Sequence, residues 1–260
     1  MIRNFQSVEE LVSAFKTLQS QGAYVPFLDQ RVDETVRKAL EGDAALVPEA
    51  EKLMNLLESS VPETLQPTWR SDVYGPVLSV PDYLTGIPTP FRRMHEAESE
   101  SAPIKIFVGM MSSAGISARD LKTRGVTIAA LVMKLQVIRP VDIVMFTEWG
   151  FDDISGTYNI MCPLESRPLS LAHLVNVLAD AYFFRQFMHT IAFKDGVRRG
   201  GPWPINYTSK EYSAQRAKTL SATSNDLVIP STYTGDEIIR NPVKWINDNL
   251  TKLAVLEPEA

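Results

Sequence analysis

IKIFVGMMSSAGISARDLKTRGVTIAALVMKLQVIRPVDIVMF, residues 104–146, holds the strongest structural signal in the chain. Two apolar runs, at residues 104–108 and 141–146, flank a segment with helical spacing from Ala118 to about Gln136. Two β-branched runs joined by an amphipathic helix predict a βαβ unit with buried, parallel strands. We therefore predict an α/β fold in which helices flank a central, mostly parallel sheet and a helical extension precedes it.

The predicted helix has a clear start. Ser117 is a suitable N-cap, and Asp120 three residues later loosely fits a capping box. Arg119, Lys122 and Arg124 fill the first turns, where the helix dipole gives no reason for basic residues. Two interpretations stay open. The three side chains form a solvated helix face, or they hold an anion together with the amides of the preceding turn.

The loop after the first strand matches few motifs. It has neither the lysine of a phosphate-binding loop nor the glycine spacing of a dinucleotide-binding turn. It resembles the first strand and turn of von Willebrand factor A domains, which carry D-x-S-x-S there. Ser112 and Ser113 stand in for the serines, whereas Gly109 and Met110 occupy the region of the metal-binding aspartate. The resemblance implies the shape of such a domain without its metal.

Composition narrows the class of protein. The chain has 260 residues and a net charge of −5, and no apolar run is long enough to span a bilayer. The N-terminus lacks the apolar core of a signal peptide, and the single cysteine, Cys162, is consistent with a reducing cytosol. His95, His173 and His189 are too scattered for a zinc site. Residues 1–100 hold 9 Lys and Arg against 16 Asp and Glu, so the acidity is mainly N-terminal.

Periodicity predicts further elements around the βαβ unit. Three helices are expected near the N-terminus, and a final helical region is expected at 234–256 with a restart at Pro242. Short strands are expected at 77–80, at 158–162, where the connection favours antiparallel pairing, and at 227–230. The expected N-terminal helices cover residues 5–20, with Ser7 as N-cap, 33–40 and 48–57.

The segment 171–193 is apolar almost all round. This pattern predicts one long helix that is deeply buried or lies at an oligomer interface, with His173 and His189 as satisfied core histidines. We predict a helical N-terminal region, residues 1–67, packed on an α/β core domain of residues 68–260.

Residues 194–218, KDGVRRGGPWPINYTSKEYSAQRAK, have a different character. They contain six basic residues against two acids, with aromatic residues interleaved. Cations track phosphates and flat rings stack on unpaired bases, so this pattern is typical of single-stranded nucleic-acid binding. Two alternatives remain open: a loop that Trp203 anchors to the core, or a short helix at 208–218 that presents the basic residues.

The candidate nucleic-acid-binding residues combine this segment with basic residues elsewhere in the chain. They are Arg92, Arg93, Lys122, Arg124, Arg198, Arg199, Trp203, Tyr207, Lys210, Tyr212, Arg216 and Lys218.

The middle third of the chain carries a family resemblance. Its features are the block Val80-Pro81-Asp82-Tyr83-Leu84-x-Gly86-x-Pro88, the SSAGIS turn at 112–117, and Arg124-Gly125 followed by AALV at 129–132. These features resemble proteins of N4-like bacterial viruses that bind single-stranded DNA and act as cofactors of the phage RNA polymerase.

The resemblance implies a non-enzymatic, early viral protein in the cytoplasm of an infected bacterium. Its partners would be single-stranded DNA and the phage RNA polymerase, which it would recruit for middle-gene transcription. Roles in DNA replication or recombination are also implied. We expect no catalytic residues, metal, cofactor or membrane association, and a homo-oligomer stays open. The alternative is a metal-free von Willebrand A-like protein-interaction module without nucleic-acid binding.

Overall fold

The computed structural model describes most of the chain in separate stretches. They are residues 2–23, 32–57, 68–72, 77–78, 80–85, 87–95, 103–112, 116–136, 140–150, 157–164, 170–180, 183–196, 220, 222–223, 226–232 and 235–254.

A five-stranded sheet forms the centre of the fold, in the order β1-β7-β6-β5-β8. Strand β5 is parallel to both β6 and β8, and β1 is parallel to β7. Strand β7 runs antiparallel to β6, as its short connection predicts. The predicted α/β class with a mostly parallel sheet is therefore confirmed. The strands are β1 (Ile2–Asn4), β5 (Ile104–Gly109), β6 (Val141–Gly150), β7 (Thr157–Leu164) and β8 (Leu227–Ile229).

The predicted βαβ unit lies in the middle of this sheet. Helix α5 (Ala118–Gln136) connects β5 to β6, and Ile106 pairs in register with Ile143. The predicted helix start is also confirmed, because the Asp120 backbone N–H donates to the Ser117 Oγ at 3.1 Å. The buried apolar runs thus form adjacent parallel strands, as their composition indicates.

One face of the sheet carries the main core. Alternate strand residues point to the same face, so Ile106, Val108, Ile143 and Met145 share one buried cluster with the helices. Every described helix except α4 contributes to this cluster, including the three N-terminal helices. The division of the chain at residue 67 stays a prediction. The remaining helices are α1 (Val8–Ser20), α2 (Val32–Glu41), α3 (Val47–Leu56), α4 (Val80–Leu84), α6 (Leu171–Ala179), α7 (His189–Lys194), α8 (Glu237–Arg240) and α9 (Pro242–Ala254).

The opposite face carries a smaller cluster. Phe107 and Phe146 are buried there against Leu220, and Val144 and Val228 pack beside them. Among the described residues, this face is contacted from outside the sheet by Leu220 and Ala222. The two faces are therefore covered by different parts of the chain.

The predicted long helix at 171–193 is wrong in its continuity. Helix α6 ends at Ala179, and Asp180 has extended backbone angles of φ −82° and ψ 112°. A π-helical stretch, Phe183–Met188, then leads into α7. Because the segment is buried on all sides, its sequence has no polar stripe whose interruption would have indicated the break in the helix. Deep burial itself is confirmed, because Phe183 and Phe187 are fully buried. Their rings pack edge to face, with the ring centres 5.2 Å apart.

A second, three-stranded antiparallel sheet lies at residues 68–95. It contains β2 (Thr68–Asp72), β3 (Val77–Leu78) and β4 (Phe91–His95) in the order β2-β4-β3. The sequence predicted only the strand near Val77. Strands β2 and β4 are short and rich in charged residues, so their periodicity is weak.

Helices α5 and α6 cross closely at Gly125. A Cβ atom at this position would lie 2.6 Å from the Cα and Cβ atoms of Ala179.

We expect Gly125→Ala to lower the free energy of unfolding by about 1–3 kcal/mol. The added methyl group would clash with the backbone of Ala179, and this cost exceeds the stability gained because alanine favours a helix more than glycine does. Urea unfolding measures this change. The exposed variant Lys122→Ala on the same helix should stay within about 0.5 kcal/mol of wild type. Full stability of Gly125→Ala would contradict the close crossing.

Candidate nucleic-acid interface

The carboxyl ends of β5 and β8 meet where ligands usually bind in open α/β sheets. Helix α5 leads from β5 towards β6, while β8 lies on the other side of β5, so the strand order reverses here. The backbones of the two segments approach closely there. A Cβ atom on Gly109 would lie 2.6 Å from the Ser231 nitrogen, and the Thr232 N–H donates to the Met111 carbonyl at 3.1 Å. Pairing between the two chain segments therefore continues past the strand ends.

Arg124 lies at this junction and is only 3% exposed. Its Nη2 donates to the Gly109 carbonyl at 2.7 Å and to the Pro230 carbonyl at 3.2 Å. Burial lowers the pKa of Arg124 to about 10, while the charge of Asp236 acts in the opposite direction. The guanidinium is therefore still charged at neutral pH, and its Nε has no hydrogen-bond partner in the described part of the chain.

This geometry corrects the prediction for Arg124. A fully buried guanidinium whose Nη2 donates to two backbone carbonyls does not reach a phosphate backbone at the surface. The interpretation of a solvated helix face therefore fails for this residue. The anion-site interpretation stays a prediction, because residues 113–115 of the preceding turn lie outside the described residues. Arg119 and Lys122 on the same helix are exposed, so Lys122 stays a predicted contact.

The small sheet brings Arg92 and Arg93 next to another arginine. Both lie in its central strand, β4, where Arg93 pairs opposite Arg70 and Arg92 pairs opposite Ser71. Sequence reasoning missed Arg70, because it lies 22 positions before Arg92 and its strand was not predicted. The register therefore adds one basic position to the predicted pair.

The other predicted contacts fall in the basic-aromatic segment, and the structure describes only its first three residues, 194–196. The predicted contacts outside the described residues are Arg198, Arg199, Trp203, Tyr207, Lys210, Tyr212, Arg216 and Lys218.

Asp195 fixes the start of this segment to the sheet. Its carboxylate accepts from Arg3 Nη1 at 2.6 Å and from the hydroxyl of the buried Tyr158. Tyr158 pairs opposite Trp149 near the carboxyl end of β6, so this cluster lies at the same edge of the sheet as Arg124. The Arg3 guanidinium also lies 5.4 Å from the centre of the Phe5 ring. Because 192 positions separate Arg3 from Asp195, no local sequence signal indicates the contact.

The chain is next described at Leu220, on the other face of the sheet. Leu220 packs there against Phe107 and Phe146, whereas α7, which ends at Lys194, belongs to the cluster on the helix-covered face. The residues that flank the basic-aromatic segment are thus held on opposite faces of one sheet.

Other candidate chemistry has structural explanations. His173 is buried, and its Nε2 lies 2.6 Å from the Ala39 carbonyl, which confirms the predicted core histidine. Cys162 is buried as well. Across the described stretches, no three His, Cys, Asp or Glu side chains come together as a metal-ligand group. No helix within those stretches is long and apolar enough to cross a membrane.

The structure defines an α/β protein whose described candidate contacts, Arg92, Arg93 and Lys122, lie in the small sheet and on helix α5. A family model described as a domain of unknown function, DUF7192, matches residues 1–256, so the chain belongs to the DUF7192 family. No curated protein and no solved structure matches the chain significantly.

The role of Arg124 can be separated from that of Lys122. We expect Arg124→Met to lower the free energy of unfolding by at least about 2 kcal/mol, because two carbonyls lose a charged donor. In the folded variant, the salt dependence of single-strand binding should match wild type. Lys122→Met should instead keep its stability within about 0.5 kcal/mol and reduce the salt slope by about 0.7. A stable Arg124→Met variant with a reduced slope would contradict the assignment.

The Tyr158–Asp195 contact should be sensitive to alkaline pH. Burial, and then the hydrogen bond to Asp195, raise the pKa of Tyr158 above its ordinary value of 10.0. The folded state therefore holds the phenolic proton more tightly than the unfolded state. This contribution to stability is complete below about pH 10 and is lost as the pH rises further.

Tyr158→Phe tests this contact by urea unfolding. The variant should be about 1 kcal/mol less stable than wild type near neutral pH, and the difference should shrink above about pH 10. The exposed Tyr83→Phe serves as the control and should match wild type throughout. A difference for Tyr158→Phe that stays constant with pH would contradict the proposed proton linkage.

Proposed function

We propose that this protein binds single-stranded DNA and acts without catalysing a reaction. The observation that carries the proposal is the basic-aromatic segment, residues 194–218, which has six basic residues against two acids. Asp195 holds its start at the sheet edge, and Leu220, just beyond its end, is packed on the sheet. The described residues on either side of this segment are thus fixed to the sheet, and its cations and rings supply the chemistry that a single strand requires.

The chemistry of the segment favours single strands over duplex. Arg198, Arg199 and Lys210 supply charge for phosphates, while Trp203 and Tyr212 supply flat rings. Base–aromatic stacking contributes about 1–3 kcal/mol per base and needs bases whose faces are open. A duplex hides those faces, so it would gain only the phosphate contacts.

The family resemblance extends the proposal to transcription. Residues 74–146 resemble proteins of N4-like bacterial viruses that act as cofactors of the phage RNA polymerase, so we propose that role here, in the cytoplasm of an infected bacterium. Roles in replication or recombination belong to the same proposal. Arg124 and Gly125 have structural roles, so their part in the resemblance supports the fold more than DNA binding.

One observation favours a second candidate function. Helix α4 and the residue Ile87 beyond it expose several large apolar side chains, which are 56% exposed for Val80, 61% for Tyr83, 77% for Leu84 and 44% for Ile87. Exposed apolar groups of this size often mark protein interaction sites. A protein-interaction module without nucleic-acid binding is therefore the alternative.

Titration of a labelled oligothymidine strand, and of the matched duplex, tests the proposal. We expect the single strand to bind at least about tenfold more tightly, because only open bases stack on the rings. Trp203→Ala and Tyr212→Ala should each weaken binding about fivefold or more, whereas Trp203→Phe should retain most of the affinity.

Salt provides the second readout of this titration. The logarithm of the affinity should fall linearly with the logarithm of salt concentration, with a slope of about −0.7 per phosphate contact. Equal affinity for single strand and duplex, or binding to neither, would overturn the proposed function and leave the protein-interaction module.

A further inference from the structure

The register of the three-stranded sheet pairs two arginine positions. Arg70 of β2 lies directly opposite Arg93 of β4, and Arg92 follows at the next pair, opposite Ser71. Directly opposite positions of antiparallel strands share a face, and like charges there destabilise the pairing. An anion bound across the pair would remove this cost.

The same face carries aromatic positions on either side of the arginine pair. Phe91 and His95 lie two positions before and after Arg93 on β4, and they pair opposite Asp72 and Thr68. Positions two apart on a strand share a face and are about 6.8 Å apart. The face therefore has a row of aromatic, basic and aromatic positions along its central strand.

Exposed apolar side chains follow this sheet closely along the chain. Leu78, the last residue of β3, pairs opposite Phe91, and α4 begins two residues later at Val80. Tyr83 on α4 is 61% exposed and Leu84 is 77% exposed. Exposed rings and apolar groups thus lie a short stretch of chain from the arginine row.

The local charge differs from that of the surrounding sequence. Residues 68–95 hold three arginines and two aspartates, whereas the rest of the first hundred residues hold 6 basic and 14 acidic residues. The small sheet is therefore a locally basic region within an acidic third of the chain, and its charge suits an anionic ligand.

We propose that the small sheet and α4 together form a second contact surface for single-stranded nucleic acid, with Arg70 and Arg93 at the phosphates and Tyr83 stacked on a base. A single strand offers a negative charge and a flat apolar base at every nucleotide. An acidic peptide would match the arginines alone, and an apolar helix would match α4 alone. The inference rests on the proposed function and extends it to Arg70 and Tyr83.

The double variant Arg70→Ser/Arg93→Ser tests the phosphate contacts in the full-length chain. Single-strand affinity should fall about tenfold near physiological salt, and the salt slope should lose about 1.4, as expected for two lost contacts. The charge-matched control Lys16→Ala/Lys52→Ala, on exposed positions of α1 and α3, should change affinity less than about twofold. The arginine variant should unfold at a temperature equal to or above wild type, because it removes like-charge repulsion.

Substitution of Tyr83 tests the stacking contact. Tyr83→Ala should weaken single-strand binding about fivefold or more, while Tyr83→Phe should bind like wild type because the ring is retained. Duplex binding should change little in either variant. This difference between Ala and Phe separates ring stacking from a general effect of the substitution.

The outcomes distinguish this inference from the proposed function. If wild type binds no single strand, the proposed function fails and the inference fails with it. If wild type binds, Trp203→Ala binds poorly and both small-sheet variants bind normally, only the inference is overturned. If Tyr83→Ala alters self-association in analytical ultracentrifugation but leaves DNA affinity unchanged, the surface contacts a second copy and the inference is likewise overturned.

Discussion

The buried guanidinium of Arg124 links the ends of strands β5 and β8, which pair at one side of the sheet. It donates to the carbonyls of Gly109 and Pro230, at the carboxyl ends of neighbouring strands. Desolvation of a cation is costly, so the group persists only where hydrogen bonds compensate. The next residue, Gly125, lets α6 approach α5 closely. Two consecutive residues thus support both the strand pairing and the helix packing.

The close backbone contact between the ends of β5 and β8 affects where a ligand can bind. In many open α/β sheets the crevice at the reversal of strand order accepts a ligand. Here the backbone at Gly109 lies close to the backbone at Ser231, and the buried Arg124 donates to the carbonyls of Gly109 and Pro230. The remaining basic and aromatic candidates belong instead to two segments of the sequence, residues 68–95 and 194–218. The cluster of Arg3, Tyr158 and Asp195 ties the second of these segments to the same edge of the sheet.

Much of the fold could be predicted from local patterns, and the exceptions have physical reasons. The βαβ unit and Ser7 and Ser117 as N-caps follow from periodicity and capping chemistry, and the structure confirms them. The break after Ala179 gave no signal, because a helix buried on all sides has no polar stripe to interrupt. Strand β1 has only three residues, and strand β4 shows no alternation of apolar and polar residues, so neither gave a recognisable pattern. Arginine is usually exposed, so the sequence indicated a surface position for Arg124, and only the tertiary contacts show that it is buried. Arg70 joins the candidate interface through strand pairing alone.

The central claim is that single-stranded DNA contacts two basic segments, residues 68–95 and 194–218. Photo-cross-linking of the full-length protein to a single strand carrying photoreactive thymidines, followed by peptide mass spectrometry, tests it most directly. The account predicts cross-linked peptides from residues 194–218 and 68–95, and none from the acidic helices α1, α2 and α3. Cross-links confined to those helices, or the absence of cross-links to a bound strand at both basic segments, would contradict it.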